Sequence, residues 1–198
     1  MPKTKNSKKE FSIVIVGTGG QGVITLLEVL TETAKIEGYD LKTSELHGLS
    51  QRGGSVEVHI RIGKNIFSPL VSQSGANLII SLELQESLRA LYYTSSKTKF
   101  LINDYFLSIP GKPQASKKEI LNQIKKFTKN VKIIKAAEIC KRELGKEVLS
   151  GIYLLSLASK KGLIPLKPNS ILKIIKKIIP EKYLELNLKT FNLASKSA

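Results

Sequence analysis

Residues 11–22 join a hydrophobic, β-branched run to a cluster of glycines, and this junction constrains the fold more than any other part of the chain. The run Phe-Ser-Ile-Val-Ile-Val predicts a buried strand, and an amphipathic helix pattern starts at residue 23. Between them, the spacing Gly17-x-Gly19-x-x-Gly22 matches the phosphate-binding turn of a dinucleotide fold. The helix N-terminus leaves N–H groups unpaired and carries a partial positive charge. The junction therefore predicts an α/β fold with a crevice that accepts an anion.

The pattern of the whole chain predicts a Rossmann-like, mostly parallel open sheet flanked by helices, with a helical C-terminal extension. A first helix over 23–34 ends before Gly38, and a strand over 39–45 completes a βαβ unit with a right-handed crossover. Alternation predicts a half-buried strand at 56–62, with 66–71 as its hairpin partner. The remaining patterns predict strands at 77–81, 99–103 and 131–134, a loop at 110–113, and helices at 83–93, 117–128, 136–144, 147–160, 170–178 and 181–195.

Length and cysteine content limit the classes of protein that fit. The 198 residues suffice for one substantial core, so we expect residues 1–10 to be a disordered basic arm and residues 11–198 a single domain. The one cysteine, Cys140, excludes an intrachain disulfide and cannot alone hold an iron–sulfur cluster or zinc; its helical pattern predicts a core position. No apolar stretch approaches the ~20 residues of a membrane span. Since the start also lacks a signal-peptide pattern, we expect a cytoplasmic location.

The net charge of +16 is distributed unevenly. Residues 1–9 carry +4, residues 10–96 carry −3, and residues 97–198 carry +15. The glycine turn therefore lies in a slightly acidic half. The cations are 28 lysines and only four arginines, whereas specific contacts with bases and phosphates favour arginine. This pattern favours solvated lysine faces or an acidic protein partner over a nucleic acid.

A second cluster follows the second predicted strand, with the sequence Ser-Glu-Leu-His-Gly-Leu-Ser-Gln-Arg-Gly-Gly-Ser-Val at 44–56. A loop in this place lies at the carboxyl edge of an open sheet, so we expect it beside the glycine turn. Glu45, 23 residues after Gly22, either binds ribose hydroxyls or makes a local hydrogen bond. Arg52 suits a planar contact with a carboxylate or phosphate. Such a concentration of polar groups and glycines predicts contact with a ligand or another chain.

Other chemistry-bearing residues give weaker signals. His47 either takes part in chemistry or fixes the conformation of its loop, while His59 is expected on a strand surface or at an interface. The chain has no Gly-x-Ser-x-Gly elbow, no His-Glu-x-x-His helix and no Walker lysine. The lysine-rich amphipathic stretch 171–178 packs on the domain or touches a membrane surface. No catalytic residue and no metal ligand is assigned to this chain.

The two clusters together are specific enough to suggest a family. Gly-x-Gly-Gly-Gln-Gly at 17–22, with Glu-x-His-Gly-x-Ser-Gln-Arg-Gly-Gly-Ser-Val at 45–56, resembles the gamma-type domain of 2-oxoacid:ferredoxin oxidoreductases. Among these proteins the chain most resembles the free-standing beta subunit of the indolepyruvate type. Segments 151–166 and 187–191 also look like the family pattern, but 146–151 and Thr190 depart from it. The departures leave the 2-oxoacid and the partner open.

The resemblance implies a role in a complex. Such complexes decarboxylate a 2-oxoacid on thiamine diphosphate, form an acyl-CoA and pass electrons through clusters to ferredoxin. It implies that thiamine diphosphate, Mg and the 4Fe-4S clusters belong to an alpha subunit, that coenzyme A is a co-substrate, and that this chain binds no cofactor tightly. The implied hetero-oligomer involves no membrane and no nucleic acid. The residues implied to face the active site are Gly17, Gly19, Gly20, Gln21, Gly22, Glu45, His47, Gly48, Ser50, Gln51, Arg52, Gly53 and Gly54.

Two alternatives stay open at this point. One is the gamma subunit of a pyruvate-, ketoisovalerate- or 2-oxoglutarate-type oxidoreductase, although the 45–54 loop favours the indolepyruvate type. The other is a stand-alone nucleotide-binding protein, for which Gln21 and the crowded 45–54 loop fit poorly.

Overall fold

The computed structural model describes residues 9–48, 53–107 and 114–194 of the chain. Predicted features at 1–8, 110–113 and 195–198 lie outside the described residues. Lys9 and Glu10, the end of the predicted arm, are exposed, and Glu10 forms an ion pair with Arg61. The strands are β1 (Phe11–Thr18), β2 (Asp40–His47), β3 (Ser55–Gly63), β4 (Leu78–Ser81), β5 (Lys99–Asn103) and β6 (Val131–Ile134).

The helices follow the predicted order with local differences. They are α1 (Val23–Ile36), α2 (Lys117–Lys125), α3 (Ala136–Leu144), α4 (Ser150–Lys160), α5 (Pro168–Ile178) and α6 (Glu181–Leu193), with 3₁₀ helices at Gln85–Tyr93 and Glu147–Leu149. The helix predicted at 83–93 is therefore a 3₁₀ helix, and the one predicted at 147–160 begins as a 3₁₀ turn. Gly38 and Gly145, with φ of 71° and 70°, follow the ends of α1 and α3, where a left-handed residue stops a helix cheaply.

The described strands form one sheet in the order β2-β3-β1-β4-β5-β6. β1, β4, β5 and β6 run parallel, whereas β3 is antiparallel to both β1 and β2. β2 thus runs parallel to β1, as the βαβ prediction requires, but β3 lies between them. The mostly parallel α/β sheet is confirmed. Its topology brings the carboxyl ends of β1 and β2 beside the start of β3.

Both faces of the sheet are buried, which explains the continuous apolar run of β1. Ile13, Val14, Ile15 and Val16 are all fully buried, and alternate residues contact opposite layers. One layer contains α1, α3, α4, α5 and α6 and packs on Ile13, Ile15 and their neighbours. The other contains the 85–93 helix and α2 and packs on Val14 and Val16. Cys140 lies in the first layer, where burial raises the pKa of its thiol to about 12, so its predicted core position is confirmed.

Two predictions near β3 are wrong. Residues 66–71 form no strand: the Arg61 guanidinium donates to the carbonyls of Ser68 and Leu70, so the loop is held by a side chain rather than a ladder. His59, expected at a surface, is only 1% exposed. Its Nδ1 accepts the Val71 N–H at 3.1 Å, and its Nε2 donates to Glu57 Oε1 at 2.9 Å. The loop and the 85–93 helix bury this face of β3, which alternation alone could not show.

Among the described residues, no helix combines the length and the apolar character that a membrane-spanning segment requires.

Candidate functional site

The glycine turn after β1 needs its glycines for different reasons. A Cβ on Gly17 would lie 2.9 Å from the Gln21 side-chain oxygen and 3.2 Å from the Leu82 Cβ, so this position has no room for a side chain. Gly20 and Gly22 face open space but have φ of 97° and 80°, which other residues rarely adopt. Gly22 is the cap of α1, which has neither a side-chain cap nor an acidic residue in its first turn. The positive end of α1 is therefore not neutralised locally.

Two amide side chains tie the carboxyl ends of the central strands together. Gln21 accepts the Thr18 N–H at 2.8 Å and donates to the Leu82 carbonyl at 3.3 Å. The fully buried Asn103, at the end of β5, donates to the same carbonyl at 3.0 Å and accepts the Ala137 N–H at 3.0 Å. The Gln21 amide is thus engaged with its own chain, and the turn it supports is rigid at the point where β1 meets β4.

The two glycine clusters of the sequence lie side by side. The Gly19 N–H donates to the Gly54 carbonyl at 2.8 Å, and the Gly53 N–H returns to the Gly19 carbonyl at 3.4 Å. Thr18 and Ser55 are partners in the sheet, so the end of β1 and the start of β3 hold both turns. Ser50, Gln51 and Arg52 lie outside the described residues. The described parts of both clusters form one structure, termed the glycine rim: residues 17–22, 45–48, 53 and 54.

An open cavity of about 500 Å³, termed the outer cavity, lies between the first turn of α1 and the end of β2. Glu45 and His47 are on its β2 side, with His47 Nε2 3.6 Å from Glu45 Oε2 and both side chains well exposed. An anion at the α1 end would meet backbone N–H groups, whereas hydroxyl groups would suit the carboxylate of Glu45. The lining residues are Thr18, Gly19, Gly20, Gly22, Val23, Ile24, Thr25, Glu45, His47, Gly48 and Val56.

A second cavity of about 280 Å³, termed the switch cavity, lies over the ends of β1 and β5. β1 and β4 are neighbours in the sheet, but the chain leaves β1 toward one face and leaves β4 toward the other. Open α/β sheets bind ligands where two neighbouring strands diverge in this way. Burial, and then the nearby carboxylates of Glu147 and Glu83, raise the pKa of the Tyr105 hydroxyl. The Tyr105 hydroxyl therefore stays neutral and can donate a hydrogen bond. The lining residues are Thr18, Gly19, Gly20, Gln21, Gly53, Asn103, Tyr105, Leu107, Ala137, Glu147, Val148 and Ser150.

Sequence reasoning missed several residues of this edge. Asn103 ends β5, Tyr105 follows it, and Glu147 follows α3, so only the fold brings them to the glycine rim. Glu83, which follows β4, is 2% exposed and accepts the N–H groups of Glu86 at 2.8 Å and Leu107 at 3.1 Å. Burial raises its pKa despite these bonds. For Glu83, Asn103 and Tyr105 the available signal was position, since each stands at or just after the end of a buried strand at the carboxyl edge. Glu147 follows a helix and gave no such signal.

Metal binding finds no support in the described part of the chain. No group of three or more His, Cys, Asp or Glu side chains within residues 9–48, 53–107 and 114–194 is placed to hold a metal ion. The glycine rim instead offers backbone N–H groups, one carboxylate, one imidazole, one amide and one hydroxyl. Groups of these kinds are chemically suited to a polar ligand.

Solved structures with the same fold are known. The gamma subunit of a keto/oxoacid ferredoxin oxidoreductase from Geobacter sulfurreducens is 18% identical, with a TM-score of 0.66 over 93% of this chain and 95% of that one. A 2-oxoglutarate:ferredoxin oxidoreductase from Magnetococcus marinus is 14% identical, with a TM-score of 0.73 over 96% of this chain but 31% of its own. The fold therefore occurs both as a separate subunit and within a longer chain.

Sequence comparison points to the same group of oxidoreductase subunits as the fold comparison. Indolepyruvate oxidoreductase subunit IorB of Archaeoglobus fulgidus is 30% identical over 192 residues, which cover 94% of each chain. Residues 12–197 match the family described as pyruvate ferredoxin/flavodoxin oxidoreductase. On its sequence and its fold, this chain belongs to the pyruvate ferredoxin/flavodoxin oxidoreductase family.

Proposed function

We propose that this chain is the small subunit of an indolepyruvate-type 2-oxoacid:ferredoxin oxidoreductase complex and is inactive alone. The complex would convert an aryl 2-oxoacid to an acyl-CoA and pass electrons to ferredoxin. Full-length similarity to a subunit of an indolepyruvate oxidoreductase supports this assignment. A single, buried cysteine cannot by itself ligate a 4Fe-4S cluster, and this supports assigning the clusters to a partner. Thiamine diphosphate and Mg are assigned to the same partner.

The observation that carries the proposal is a set of exposed apolar side chains around the glycine rim. They lie on α1, at the end of β2, after β5, before α4 and on α6, so all border the carboxyl edge of the sheet. Apolar groups that are 38–50% exposed around a polar, glycine-lined centre are typical of a surface that another protein covers. The residues are Ile24, Leu46, Phe106, Val148 and Tyr183.

Within the complex, the glycine rim would form one side of a closed site. Gly17, Gly19, Gly20, Gln21 and Gly22 shape one wall, and Glu45, His47, Gly48, Gly53 and Gly54 the other, with Ser50, Gln51 and Arg52 assigned to the second wall from the sequence. The uncapped start of α1 suits the phosphates of coenzyme A, which is an anionic co-substrate. The rim would bind and orient this co-substrate and exclude water, while the partner performs the redox chemistry.

Co-expression with a thiamine- and cluster-bearing large subunit tests the proposal. We expect the two chains to co-purify and to reduce a viologen dye only when both a 2-oxoacid and coenzyme A are present. The isolated small chain should show no activity. A large subunit that is equally active without this chain, or that fails to bind it, would contradict the assignment.

The second candidate is a gamma subunit of another 2-oxoacid type. The likeness of the fold to a gamma subunit of a keto/oxoacid enzyme favours it. A panel of 2-oxoacids separates the two: the first proposal expects indolepyruvate to give the highest kcat/KM. Preference for pyruvate, ketoisovalerate or 2-oxoglutarate would support the second.

A further inference from the structure

The loops before β5 and β6 form one continuous surface at the edge of the sheet opposite the glycine rim. The buried Thr128 donates from its Oγ1 to the Thr98 carbonyl at 2.8 Å, and Asn130 Nδ2 donates to the Ser96 carbonyl at 3.3 Å. These bonds fix the two loops against each other. We term this region, residues 95–99 and 125–132, the lysine surface.

The lysine surface contains six lysines and no acidic residue. The sequence has no Asp or Glu between Glu86 and Asp104, nor between Glu119 and Glu138. All six lysines are exposed, and none forms an ion pair with a residue in the described part of the chain. The six are Lys97, Lys99, Lys125, Lys126, Lys129 and Lys132.

Local structure does not account for this concentration of positive charge. Two of the lysines stand at the end of α2, where the negative end of the helix favours cations. Lys97 and Lys129 lie in the two connected loops, outside any helix. Their neighbours Ser96 and Asn130 are hydrogen-bonded to each other, so the two lysines lie close together and repel one another. A partner of negative charge would relieve this repulsion.

Phe127 places an apolar ring among these charges. It stands between Lys126 and the buried Thr128, and 47% of it is exposed. An aromatic side chain surrounded by charged groups is typical of a protein interface. Nucleic-acid sites favour arginine and several stacking rings, but the lysine surface has no arginine and one aromatic residue. A membrane would need a broad apolar helix face, whereas Ile120 and Ile124 of α2 are buried.

We propose that the lysine surface is the docking site of an acidic protein. Carboxylates of that partner pair with the lysines, and an apolar side chain at the centre of its docking face covers Phe127. The lysine surface and the glycine rim lie at opposite ends of β5, so both can be occupied at once. The inference does not rest on the proposed function, in which a large subunit covers the rim.

A labelled acidic peptide tests this surface on the full chain. The probe is a run of glutamates interrupted by one leucine, and its control has glutamine in place of every glutamate. Fluorescence anisotropy at about 50 mM salt measures the affinity. We expect the acidic peptide to bind and the glutamine peptide not to bind. Binding should be lost at about 1 M salt, where the screening length is only about 3 Å.

Two charge-matched variants locate the binding site. The first should weaken binding of the acidic peptide by about tenfold, the combined effect of four exposed ion pairs. The second removes the same charge from the layer on the other face of the sheet and should change the affinity by less than about twofold, because distant charges are screened. Unchanged urea midpoints check that both variants fold. The first carries Lys97→Gln, Lys125→Gln, Lys126→Gln and Lys129→Gln, and the second carries Lys167→Gln, Lys173→Gln, Lys176→Gln and Lys177→Gln.

A double-mutant cycle tests the apolar contact. Phe127→Ser should weaken binding of the acidic peptide about threefold, and replacing the leucine of the peptide by serine should do the same. Because the ring and the leucine contact each other in the proposed complex, both changes together should cost no more than either alone. Additive losses would mean that Phe127 takes no part in docking.

Three further results would overturn the inference. The first is no binding of the acidic peptide by the unmodified chain at low salt. The second is an equal loss of affinity in the two lysine variants, because the charge would then act from the whole surface. The third is tighter binding of single-stranded RNA or of anionic lipid vesicles that only the first variant loses, since the surface would then serve another class of partner. None of these measurements uses enzyme activity, so each is distinct from a failure of the proposed function.

Discussion

The loops at the two edges of the sheet are joined to their surroundings in different ways. At the carboxyl edge, backbone groups of the two glycine turns bond to each other, and Gly17 and Gly22 make the geometry possible. At the amino edge, side chains hold the loop 64–71: Arg61 donates to two of its carbonyls, and Asp40 accepts the Asn65 N–H at 2.9 Å. Backbone pairing leaves the carboxyl edge lined with small residues and open to a ligand. Side-chain pairing fills the amino edge.

The largest effect should come from placing a side chain at Gly17. In Gly17→Val the new atoms would meet Gln21, Val23 and Leu82 at or below 3.2 Å from the Cβ alone, so we expect a loss of about 3 kcal/mol or more of unfolding free energy. Urea denaturation measures this loss of unfolding free energy. Gly20→Ala is the matched control, because the space is open and only its φ of 97° is unfavourable, which costs about 1 kcal/mol. Equal midpoints for the two variants would mean that close packing does not constrain this turn.

Removing Arg61 tests the amino edge in the same way. Arg61→Leu leaves the Ser68 and Leu70 carbonyls without their donor and breaks the pair with Glu10, so we expect a loss of about 1–3 kcal/mol. Hydrogen exchange should speed up at the amides of 64–71 and stay unchanged at those of 17–22. Arg142→Leu, at an exposed pair with Glu143, should change neither quantity. Faster exchange at the glycine rim would show that the two edges are coupled.

Glu83 gives the carboxyl edge a dependence on pH. Because burial raises its folded-state pKa above the unfolded value of 4.5, the carboxyl contributes most to stability below pH 4.5, and this contribution is lost as pH rises through the folded pKa. Glu83→Gln should flatten that slope, at a cost of about 1–3 kcal/mol, because the amide NH2 cannot accept one of the two N–H groups that the carboxyl group accepts. Urea denaturation midpoints of the two proteins between pH 4.5 and 7.5 measure the slope of stability with pH and the cost of the substitution. A slope unchanged by the substitution would assign the dependence to another group.

The smallest effect should come from Tyr153, which belongs to neither edge. Its side chain is fully buried, and its hydroxyl has no hydrogen-bond partner in the described structure. Tyr153→Phe removes a desolvated polar group, so we expect a gain of up to about 1 kcal/mol. The thermal midpoint should rise, with exchange at both edges unchanged. A lower midpoint would indicate a hidden partner for the hydroxyl.

Much of the fold could be predicted because local patterns agree with it. The apolar run of β1, the glycines after it and the 3.6-residue periodicity of α1 give strand, turn and helix with nearly the observed bounds. The β5, β6 and α3 bounds were likewise predictable. The hairpin predicted at 66–71 and the surface position predicted for His59 were wrong, because the Arg61 side chain holds the loop and the 85–93 helix covers His59.

The sequence by itself determined the glycine turns, the strand–turn–helix order and the family resemblance, because each depends on residues close together in the chain. Only the tertiary structure decided that β3 enters between β1 and β2, that Asn103, Tyr105 and Glu147 join the rim, and that the two loops of the lysine surface meet. These are contacts between residues far apart in sequence. They depend on how the layers pack, which no local pattern encodes.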